Sequence, residues 1–270
     1  MFSQSYHFLF LILNLNIRLN QILFYYTMNI IKLDAISSTN DYLKKLMSRQ
    51  YVENFTIVTA ENQTQGKGQM GAVWNVAPGK NLTFSVLVRD FLLDIGEIFN
   101  LNRVVAVSIV EALETFQIPD LAIKWPNDIM AGNKKVGGIL IENTIKNNGE
   151  IFSVVGIGLN VNQKDFSNLP KAASLSGIKG IEFDKQVVFY EIVENLKQNM
   201  AGIRHRNTIV FLEKYDAKLY KKGVPMPFQD LTGKQFMGII RQVSPTGKLE
   251  VIDENETIRY YDIKEIQMLY

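Results

Sequence analysis

The stretch of sequence that decides the fold is Lys124-Trp125-Pro126-Asn127-Asp128, followed shortly by Lys135-Val136-Gly137-Gly138-Ile139-Leu140. Residues 122–125 predict one strand, which ends at Pro126 because proline has no N–H to give to a strand ladder. Residues 136–142 predict a second strand. Ala131-Gly132-Asn133 has the turn chemistry of a hairpin-like connection, so we expect the two strands to be joined there.

This connection brings together side chains that suit a charged ligand. We expect Lys124, Asn127, Asp128 and Lys135 to cluster on one rigid edge. Fixed positive charges stabilise a phosphoryl group, so the cluster predicts a site that handles phosphate. Taken alone, the segment is equally compatible with a polar hairpin whose lysines are solvated.

Composition excludes several kinds of site. The 270 residues predict one or two domains, and 47% hydrophobic with 21% charged residues is typical of a globular protein. A formal net charge of +2 gives no basic field for nucleic acid. The absence of cysteine excludes thiol nucleophiles and disulfides, and suits a reducing cytoplasm. The two histidines, His7 and His205, lie far from the motifs, which argues against a histidine triad or a multi-histidine metal site.

Residues 1–27 differ from the rest of the chain. The apolar run at 8–13 is followed by Asn14, Asn16 and Arg18, too many polar residues for a membrane span of about 20 apolar residues. The charge and cleavage signals of a secretion peptide are missing. Because Met28 directly precedes a predicted strand, we expect the natural chain to start there and residues 1–27 to be a non-native or disordered leader. An interfacial anchor is the alternative.

From residue 29 onward the chain mixes strand-like and helix-like segments. Ser38 and Asp41 have the spacing of a capping box, which predicts a helix starting after Ser38. The other predicted elements are strands at 55–60, 81–89 and 151–162, and helices at 101–117, 185–206 and 208–222. Regular βα alternation is missing, so the pattern predicts an α+β domain over residues 28–222, with a mixed sheet flanked by helices.

A break separates a small C-terminal module from this domain. Two prolines in Gly223-Val224-Pro225-Met226-Pro227 end the last helix and predict a linker. Beyond the linker, short strands are predicted at 236–243, 248–252 and 259–263. We therefore expect residues 223–270 to form a small β module, too short for much stability alone and packed against the main domain.

The glycine loop Gly66-Lys67-Gly68-Gln69-Met70-Gly71 is a second chemical motif, with the spacing G-x-G-x-x-G. A dinucleotide fold would need a helix directly after it, but loop and strand follow. A kinase reading fails because the other kinase motifs are missing. What survives is an amide-rich loop that can wrap an anionic ligand, or an ordinary surface loop.

Together, five motifs in order resemble the biotin protein ligase family. The resemblance runs from about residue 30 to residue 163, and each motif is weak by itself. The motifs are Ser38-Thr39-Asn40, Glu61-Asn62-Gln63-Thr64-Gln65-Gly66-Lys67-Gly68, Lys124-Trp125-Pro126-Asn127-Asp128, Lys135-Val136-Gly137-Gly138-Ile139-Leu140 and Gly156-Ile157-Gly158-Leu159-Asn160.

The resemblance implies a fold and a reaction. The catalytic core would be similar to class II synthetases and to the biotin–lipoate ligases, with a small SH3-like β-barrel at the C-terminus. The family condenses biotin with ATP to biotinyl-5′-AMP, releases diphosphate, and transfers biotin to one lysine of a carrier domain of a biotin-dependent carboxylase. ATP, Mg²⁺ and biotin would be the small partners, and no tightly bound prosthetic group is implied.

The resemblance also implies roles for named residues. Positions matching the biotin site are Ser38, Thr39, Asn40, Gln63, Lys67, Gly68, Gln69, Lys135, Gly137 and Gly138. Positions matching the ATP and adenylate site are Lys67, Gln69, Met70, Trp74, Lys124, Asn127, Lys135 and Asn160.

Chemistry supports several of these roles. Hydroxyls and a carboxamide at Ser38, Thr39 and Gln63 can give and accept hydrogen bonds to the uncharged ureido ring of biotin. Lys135 matches the catalytic lysine at the reacting carboxylate and α-phosphate. Asp128 matches a residue that orients the incoming lysine or binds Mg²⁺. Two structural alternatives stay open, because Ser38 also fits a helix cap and Trp125 fits a core residue or a wall of the adenine site.

The loop departs from the pattern of many family members, which read Gly-Arg-Gly-Arg. Here Lys67 and Gln69 take the two arginine positions. Gln69 has no charge to pair with an adenylate, and Lys67 lacks the planar fork of arginine. Weaker retention of the intermediate is therefore expected.

Two alternatives from the resemblance are less favoured. A lipoate or octanoate transferase shares the fold and a central lysine, but the complete Lys124–Asp128 motif and the C-terminal module favour biotin. A biotin-responsive DNA repressor would need a helix-turn-helix domain, and about 30 residues ahead of the core motifs are too few. We therefore expect no nucleic-acid partner and no membrane partner, while a homodimer through strand edges stays open.

Overall fold

The computed structural model describes residues 28–74, 77–89, 98–146, 149–204 and 208–269 of the protein. The expectations for residues 1–27 lie outside the described residues, as do His7 and His205. Helices and strands are numbered below in chain order.

A large mixed sheet forms the centre of the main domain. In the described part of the chain it has seven strands in the spatial order β1-β2-β3-β7-β6-β5-β4. The first two strands are parallel, whereas every other neighbouring pair is antiparallel. This confirms the predicted α+β class. The strands are β1 (Ile30–Ile36), β2 (Ile57–Gln63), β3 (Leu82–Arg89), β4 (Leu121–Lys124), β5 (Asp128–Ala131), β6 (Lys134–Ile145) and β7 (Ile151–Leu159).

Helices cover both faces of this sheet. The helices are α1 (Thr39–Arg49), α2 (Ile98–Thr115), α3 (Leu175–Lys179), α4 (Lys185–Arg204) and α5 (Thr208–Ala217). α2 packs between the sheet and helices α4 and α5, and it is buried on most of its surface. On the opposite face, Leu43 of α1 packs with Val58, Leu87 and Val154. The central strands are thus apolar on both sides, as expected for a sheet between two helical layers.

α1 starts where the sequence predicted. The Oγ atom of Ser38 accepts a hydrogen bond from the backbone N–H of Asp41 at 3.4 Å, which caps the first turn. Thr39 and Asn40, directly after the cap, are buried against the sheet rather than exposed. The cap therefore fixes the direction in which these two polar side chains enter the domain.

The predicted hairpin after Trp125 is wrong in one respect. The structure contains an additional strand, β5, and the turn at Gly132-Asn133 joins β5 to β6 instead of joining the two predicted strands. β4 does end at Lys124, and Trp125-Pro126-Asn127 forms the turn into β5. Asp-Ile-Met-Ala is a four-residue strand between two turns, too short to show a periodicity of its own. These four residues form a strand because they pair with β4 on one side and with β6 on the other.

The C-terminal module is a second sheet of five antiparallel strands among the described residues. Its spatial order is β11-β10-β9-β8-β12. The strands are β8 (Pro225–Asp230), β9 (Gln235–Val243), β10 (Leu249–Asp253), β11 (Ile258–Tyr261) and β12 (Ile266–Met268).

The predicted linker over 223–227 is also partly wrong, because Pro225 and Pro227 belong to β8. β8 pairs with β9 along its length but with β12 only from residue 228 onward. The carbonyl oxygen of Pro227 accepts from the N–H of Leu269, so its missing N–H lies on that same side, at the end of β12. Pro227 therefore removes only the last bond that β8 could donate on this side, and Pro225 lies beyond the end of β12.

One turn of the C-terminal module is held by the main domain. Arg103 of α2 is 1% exposed and donates to the carbonyl oxygens of Val243, Ser244 and Pro245. The Nε1 atom of Trp125 donates to the carbonyl oxygen of Gly247 at 2.9 Å. The turn at 244–247 is therefore attached both to α2 and to the β4–β5 hairpin.

Replacement of the buried guanidinium should destabilise the protein. Arg103→Met keeps the length of the side chain but leaves three carbonyl groups without their charged donor. We expect the free energy of unfolding to fall by about 2–3 kcal/mol, because hydrogen bonds to charged groups are the stronger ones. Denaturant unfolding followed by circular dichroism measures the loss.

The matched control is Arg241→Met on β9, where the arginine is exposed. An exposed substitution should change the free energy of unfolding by no more than about 0.5 kcal/mol. Equal effects of the two substitutions would show that the turn is not held by Arg103.

Candidate active site

A deep cavity lies between the large sheet, the glycine loop and the C-terminal module. Its volume is about 670 Å³, within the range of sites for small organic ligands. Most of the predicted site residues line it. They are Ser38, Thr39, Asn40, Gln63, Lys67, Gly68, Gln69, Met70, Trp74, Lys124, Asn127, Asp128, Lys135 and Gly138.

Two predicted site residues, Gly137 and Asn160, lie outside the lining of the cavity. The C-terminal module supplies lining residues that sequence reasoning missed. They are Phe228, Leu231, Ile240, Leu249, Ile263, Lys264, Ile266, Gln267 and Met268. Motif spacing gave no signal for them, because their position depends on how the second sheet packs against the first.

One end of the cavity is polar without a net charge. The carboxamide oxygen of Gln63 accepts from the N–H of Thr39 at 2.7 Å and from its Oγ1 at 3.0 Å. Ser85 of β3, which sequence reasoning also missed, lies behind them and is fully buried. Its Oγ is 2.7 Å from Thr39 Oγ1 and 2.5 Å from Asn40 Oδ1. Hydroxyl and amide groups thus define this end.

The opposite end carries three charges. Asp128 lies between two lysines, with Oδ1 2.5 Å from Lys135 Nζ and Oδ2 3.9 Å from Lys124 Nζ. Burial lowers the pKa of Lys124, and the nearby Lys135 and Lys171 lower it further, against the opposing effect of Asp128. The predicted cluster is therefore present, with one more positive than negative charge among these three side chains.

A β-bulge aims Lys135 at this cluster. Asp128 pairs with Gly138 and Met130 with Lys135, and the register shifts between those pairs. Without the shift, residues 135 and 138 would face opposite sides of the sheet. With it, Lys135 faces the same side as Asp128, as bulges near active sites often arrange. Lys134 is exposed and donates to the carbonyl of Pro170.

Asn127 and Asn160 use their amide donors to hold the backbone. Nδ2 of Asn127 donates to the carbonyl of Ile139 at 2.7 Å, which ties the β4–β5 turn to β6. Nδ2 of Asn160 donates to the carbonyl of Ala173 at 3.2 Å. In this structure both side chains therefore position the walls of the site.

The glycine loop forms a small hairpin of its own. Gly68 N–H donates to the carbonyl of Ala72, and Trp74 N–H to that of Gly66, so two of its amides are used within the loop. Lys67 turns away from the loop and pairs with Asp41 at 2.6 Å. Burial would raise the pKa of Asp41, but hydrogen bonds from Lys67 and Lys44 lower it overall. Lys264 of the C-terminal module donates to the carbonyl of Met70.

Trp74 lies on the floor of the cavity. Its indole ring stands over Gly138 and Gly158, and Lys135 Nζ is 5.8 Å from the ring centroid. Among the described atoms, its Nε1 is buried without a hydrogen-bond partner. The two glycines leave the space that the ring occupies.

Residues 33–162, which contain all five sequence motifs, match the model of the biotin/lipoate A/B protein ligase family. Residues 33–162 are similar to this family over the matched range, and this part of the chain is called the ligase domain below. The ligase domain therefore includes Thr39, Gln63 and the Asp128 cluster, whereas the C-terminal module lies beyond the matched range.

Individual relatives agree with the family. The chain is 34% identical over 164 residues to the bifunctional ligase/repressor BirA of Bacillus spizizenii, covering 59% of this chain and 50% of that protein. It is 25% identical over 225 residues to the biotin–[acetyl-CoA-carboxylase] ligase of Mycobacterium tuberculosis, covering 81% and 82% respectively. The chain spans about half the length of the first curated relatives that it matches.

A solved structure extends the likeness to both sheets. The biotin protein ligase from Aquifex aeolicus in complex with biotin and ATP is similar with a TM-score of 0.74 and 26% identity. The match covers 89% of this chain and 98% of that chain. The likeness thus reaches beyond the ligase domain into the C-terminal sheet. Within the described ranges, none of the helices combines the length and apolar character needed to cross a membrane.

The position of Trp74 can be tested with two alanine substitutions. A Cβ atom at residue 158 would lie 2.4 Å from the indole, so Gly158→Ala should displace the ring. A Cβ at residue 138 would lie no closer than 3.4 Å to any neighbour, an ordinary contact. We expect Gly158→Ala, and not Gly138→Ala, to change the fluorescence emission of Trp74.

Subtraction of the spectra of matched Trp74→Phe variants isolates this signal from that of Trp125. Identical emission in both alanine variants would contradict the placement of the ring over Gly158.

Proposed function

We propose that the protein is a biotin–[biotin carboxyl-carrier protein] ligase. It converts biotin and ATP to biotinyl-5′-AMP and diphosphate, then transfers biotin to a specific lysine of a biotin carboxyl carrier domain. The observation that carries the proposal is the division of the cavity into an uncharged polar end and a charged end. Biotin has the complementary division, a neutral ureido ring and an anionic carboxylate.

At the polar end, Thr39 and Gln63 would hold the ureido ring. Hydroxyl and carboxamide groups offer both donors and acceptors, which the ureido carbonyl and N–H groups require. Lipoate, which ends in an apolar dithiolane ring, would offer no acceptor to the NH₂ group of Gln63 and no donor to Thr39 Oγ1. Leaving a polar group unpaired costs about 1–3 kcal/mol, so the polar end favours biotin.

At the charged end, Lys135 would act on the first step. An oxygen of the biotin carboxylate attacks the α-phosphorus of ATP, and the bond from that phosphorus to the bridging oxygen breaks as diphosphate leaves. Two anions meet in this step, so a fixed ammonium stabilises the transition state more than the separated ground state. Lys124 adds a second positive charge within the same cluster.

In the second step the amine of the carrier lysine attacks the acyl carbon. An amide bond forms and AMP leaves with the electrons of the broken acyl–oxygen bond. Asp128 would orient the incoming amine, because a carboxylate accepts hydrogen bonds from it. The acceptor must approach the mouth of the cavity, where Leu231 of the C-terminal module and Met70 of the loop expose apolar side chains.

Mg²⁺ would enter with the nucleotide rather than occupy a site built from side chains. Within the described residues, no three side chains of the metal-ligating types come together. Asp128 is the carboxylate of the charged end, and two lysines lie against it. The ion would thus be held chiefly by phosphate oxygens of ATP and would neutralise part of their charge.

The location and assembly follow from the same proposal. We place the reaction in the cytoplasm, because a chain without cysteine cannot form the disulfides that are typical of proteins in oxidising compartments. Pairing of two copies would use a strand edge, and β1 is the terminal strand of the large sheet among the described residues.

Calorimetric titration with biotin and with lipoate, each with and without ATP, tests the ligand. We expect tight binding of biotin and weak or undetectable binding of lipoate. Tight binding of lipoate without a response to biotin would overturn the assignment. Incubation with biotin, ATP and a biotin carboxyl carrier domain tests transfer, and adenylate formation without any carrier labelling would contradict the second step.

Lys135 and Lys134 provide an internal comparison for the first step. Lys135→Ala should slow adenylate formation by roughly 10²–10³-fold, as for removal of one fixed electrostatic group. Lys134→Ala should have little effect, because an exposed charge typically contributes under about 1 kcal/mol. Biotin-dependent exchange of labelled diphosphate into ATP measures both.

Each variant is first shown to be folded by circular dichroism. Near-normal exchange with Lys135→Ala, or equal losses in both variants, would refute the assigned role.

A further inference from the structure

Behind the polar end of the cavity, a chain of hydrogen bonds leads to a carboxylate that does not line the cavity. Nδ2 of Asn40 donates to Oε2 of Glu142 at 2.8 Å. On its other oxygen, Glu142 pairs with Lys44 at 2.7 Å. Burial would lower the pKa of Lys44, but its hydrogen bonds to Glu142 and Asp41 raise it overall, so the lysine keeps its charge. The ion pair with Lys44 leaves the oxygens of Glu142 as hydrogen-bond acceptors.

The carboxylate determines the orientation of the Asn40 amide. An ionised carboxylate can only accept hydrogen bonds, so the NH₂ group of Asn40 must face Glu142. Its oxygen, Oδ1, then faces Ser85, whose Oγ lies 2.5 Å away. An amide oxygen cannot donate, so the single proton of the Ser85 hydroxyl is used in this contact.

The next link in the chain is Thr39. Its Oγ1 lies 2.7 Å from Ser85 Oγ and 3.0 Å from Gln63 Oε1. Gln63 Oε1 also accepts from the backbone N–H of Thr39, so this atom is an oxygen and cannot donate. With the proton of Ser85 already used, the single proton of Thr39 is the only one available to these two contacts, and it can make one full hydrogen bond. None remains for a ligand.

This use of the Thr39 proton restricts which ligand groups the polar end of the cavity can bind. Thr39 Oγ1 offers only lone pairs, while the NH₂ group of Gln63 remains a donor. We propose that Glu142, acting through Asn40 and Ser85, is a positioning residue that makes Thr39 an obligate acceptor and so selects a ligand presenting an N–H group there. Resting on the proposed function, this identifies the group as a ureido N–H of biotin.

Glu142→Gln should reverse the chain. Lys44 can only donate, so the oxygen of the new carboxamide would face Lys44 and its NH₂ group would face Asn40. The Asn40 amide would turn over and donate to Ser85, and Ser85 would donate to Thr39. Thr39 would then lose acceptor capacity and be able to donate to a ligand.

The ligand that detects this reversal is a cyclic carbamate analogue of biotin, in which one ureido N–H is replaced by a ring oxygen of similar size. Both positional isomers are compared with biotin by calorimetry. In the wild type, the isomer that places oxygen against Thr39 should bind roughly 10–100-fold more weakly than biotin, because two acceptors meet. In Glu142→Gln this ratio should shrink by about tenfold or more.

The chain supplies a matched control far from the cavity. Glu111 accepts from Asn199 at 2.7 Å, pairs with Lys214 at 2.6 Å, and Asn199 also contacts Ser108 at 3.0 Å. Glu111 thus has the same types of partner as Glu142, a lysine and an asparagine that contacts a serine, but lies on a helix. Glu111→Gln should leave the ratio of affinities unchanged. Ser85→Ala, which interrupts the chain at its middle, should lower the ratio in the same direction as Glu142→Gln.

The outcomes separate this inference from the proposed function. If wild-type protein fails to bind biotin, the proposed function itself is wrong. If biotin binds and folded Glu142→Gln weakens biotin and both analogues by the same factor, Glu142 only supports the structure and the inference is overturned. A reduced ratio in Glu142→Gln and Ser85→Ala, with Glu111→Gln unchanged, supports it.

Discussion

The ion pairs of Asp128 are the interaction on which the rest of the site depends. Two ammonium groups cannot share one end of a partly buried cavity without a counter-charge, because like charges there repel strongly. Asp128 supplies that charge to Lys135 at 2.5 Å and faces Lys124 from the adjacent strand. The arrangement needs a short hairpin to bring residue 124 opposite residue 128, and a bulge to bring residue 135 onto the same face. The backbone geometry of β4, β5 and β6 therefore places both lysines against the carboxylate of Asp128.

The same hairpin connects the charged cluster to the second sheet. Trp125 follows Lys124 and is the first residue of the turn into β5. Its indole N–H donates to the carbonyl oxygen of Gly247, in the turn of the C-terminal module. Gly247 has φ +93°, and a Cβ there would lie 2.5 Å from Phe99, so both its conformation and its surroundings require glycine. The buried guanidinium of Arg103 holds the carbonyls just before it. Lining residues of the C-terminal module are thereby kept at a fixed position above the ligase domain.

Sequence reasoning found the parts of this site that carry local signals. Capping chemistry located the start of α1 at Ser38, and the charges around Pro126 located the cluster at Asp128, because turn residues and titratable groups are visible one by one. Ser85 and Glu142 could not be found in this way. Each sits inside an apolar strand pattern, and its role depends on neighbours more than 40 residues away along the chain. The strand β8 was missed because its two prolines are normally a signal against a strand. Here their missing N–H groups lie at or beyond the end of β12, where β8 has few ladder bonds to lose.

Strand β6 sets the distance between the two ends of the cavity. Lys135 near its start belongs to the charged end, while the carbonyl of Leu140 contacts Asn40 at the polar end. The Nζ atom of Lys135 reaches back to 3.4 Å from the Cβ position of Gly138, so about two residue steps of β6, roughly 7 Å, separate the ammonium group from residue 140. Between these ends, Gly138 pairs with Gly158 and Leu140 with Gly156, and these glycines leave room on the floor for the indole of Trp74. A Cβ at Gly156 would lie 2.5 Å from Asn40 Oδ1, so a side chain there would displace Asn40 from its position at the polar end. Because side chains alternate along a strand, a slip of one residue in the pairing of β6 would turn both ends to the opposite face at once. The two ends are thus specified by one strand, through the bulge against β5 at Lys135 and the regular pairing with β7 from Gly137 onward.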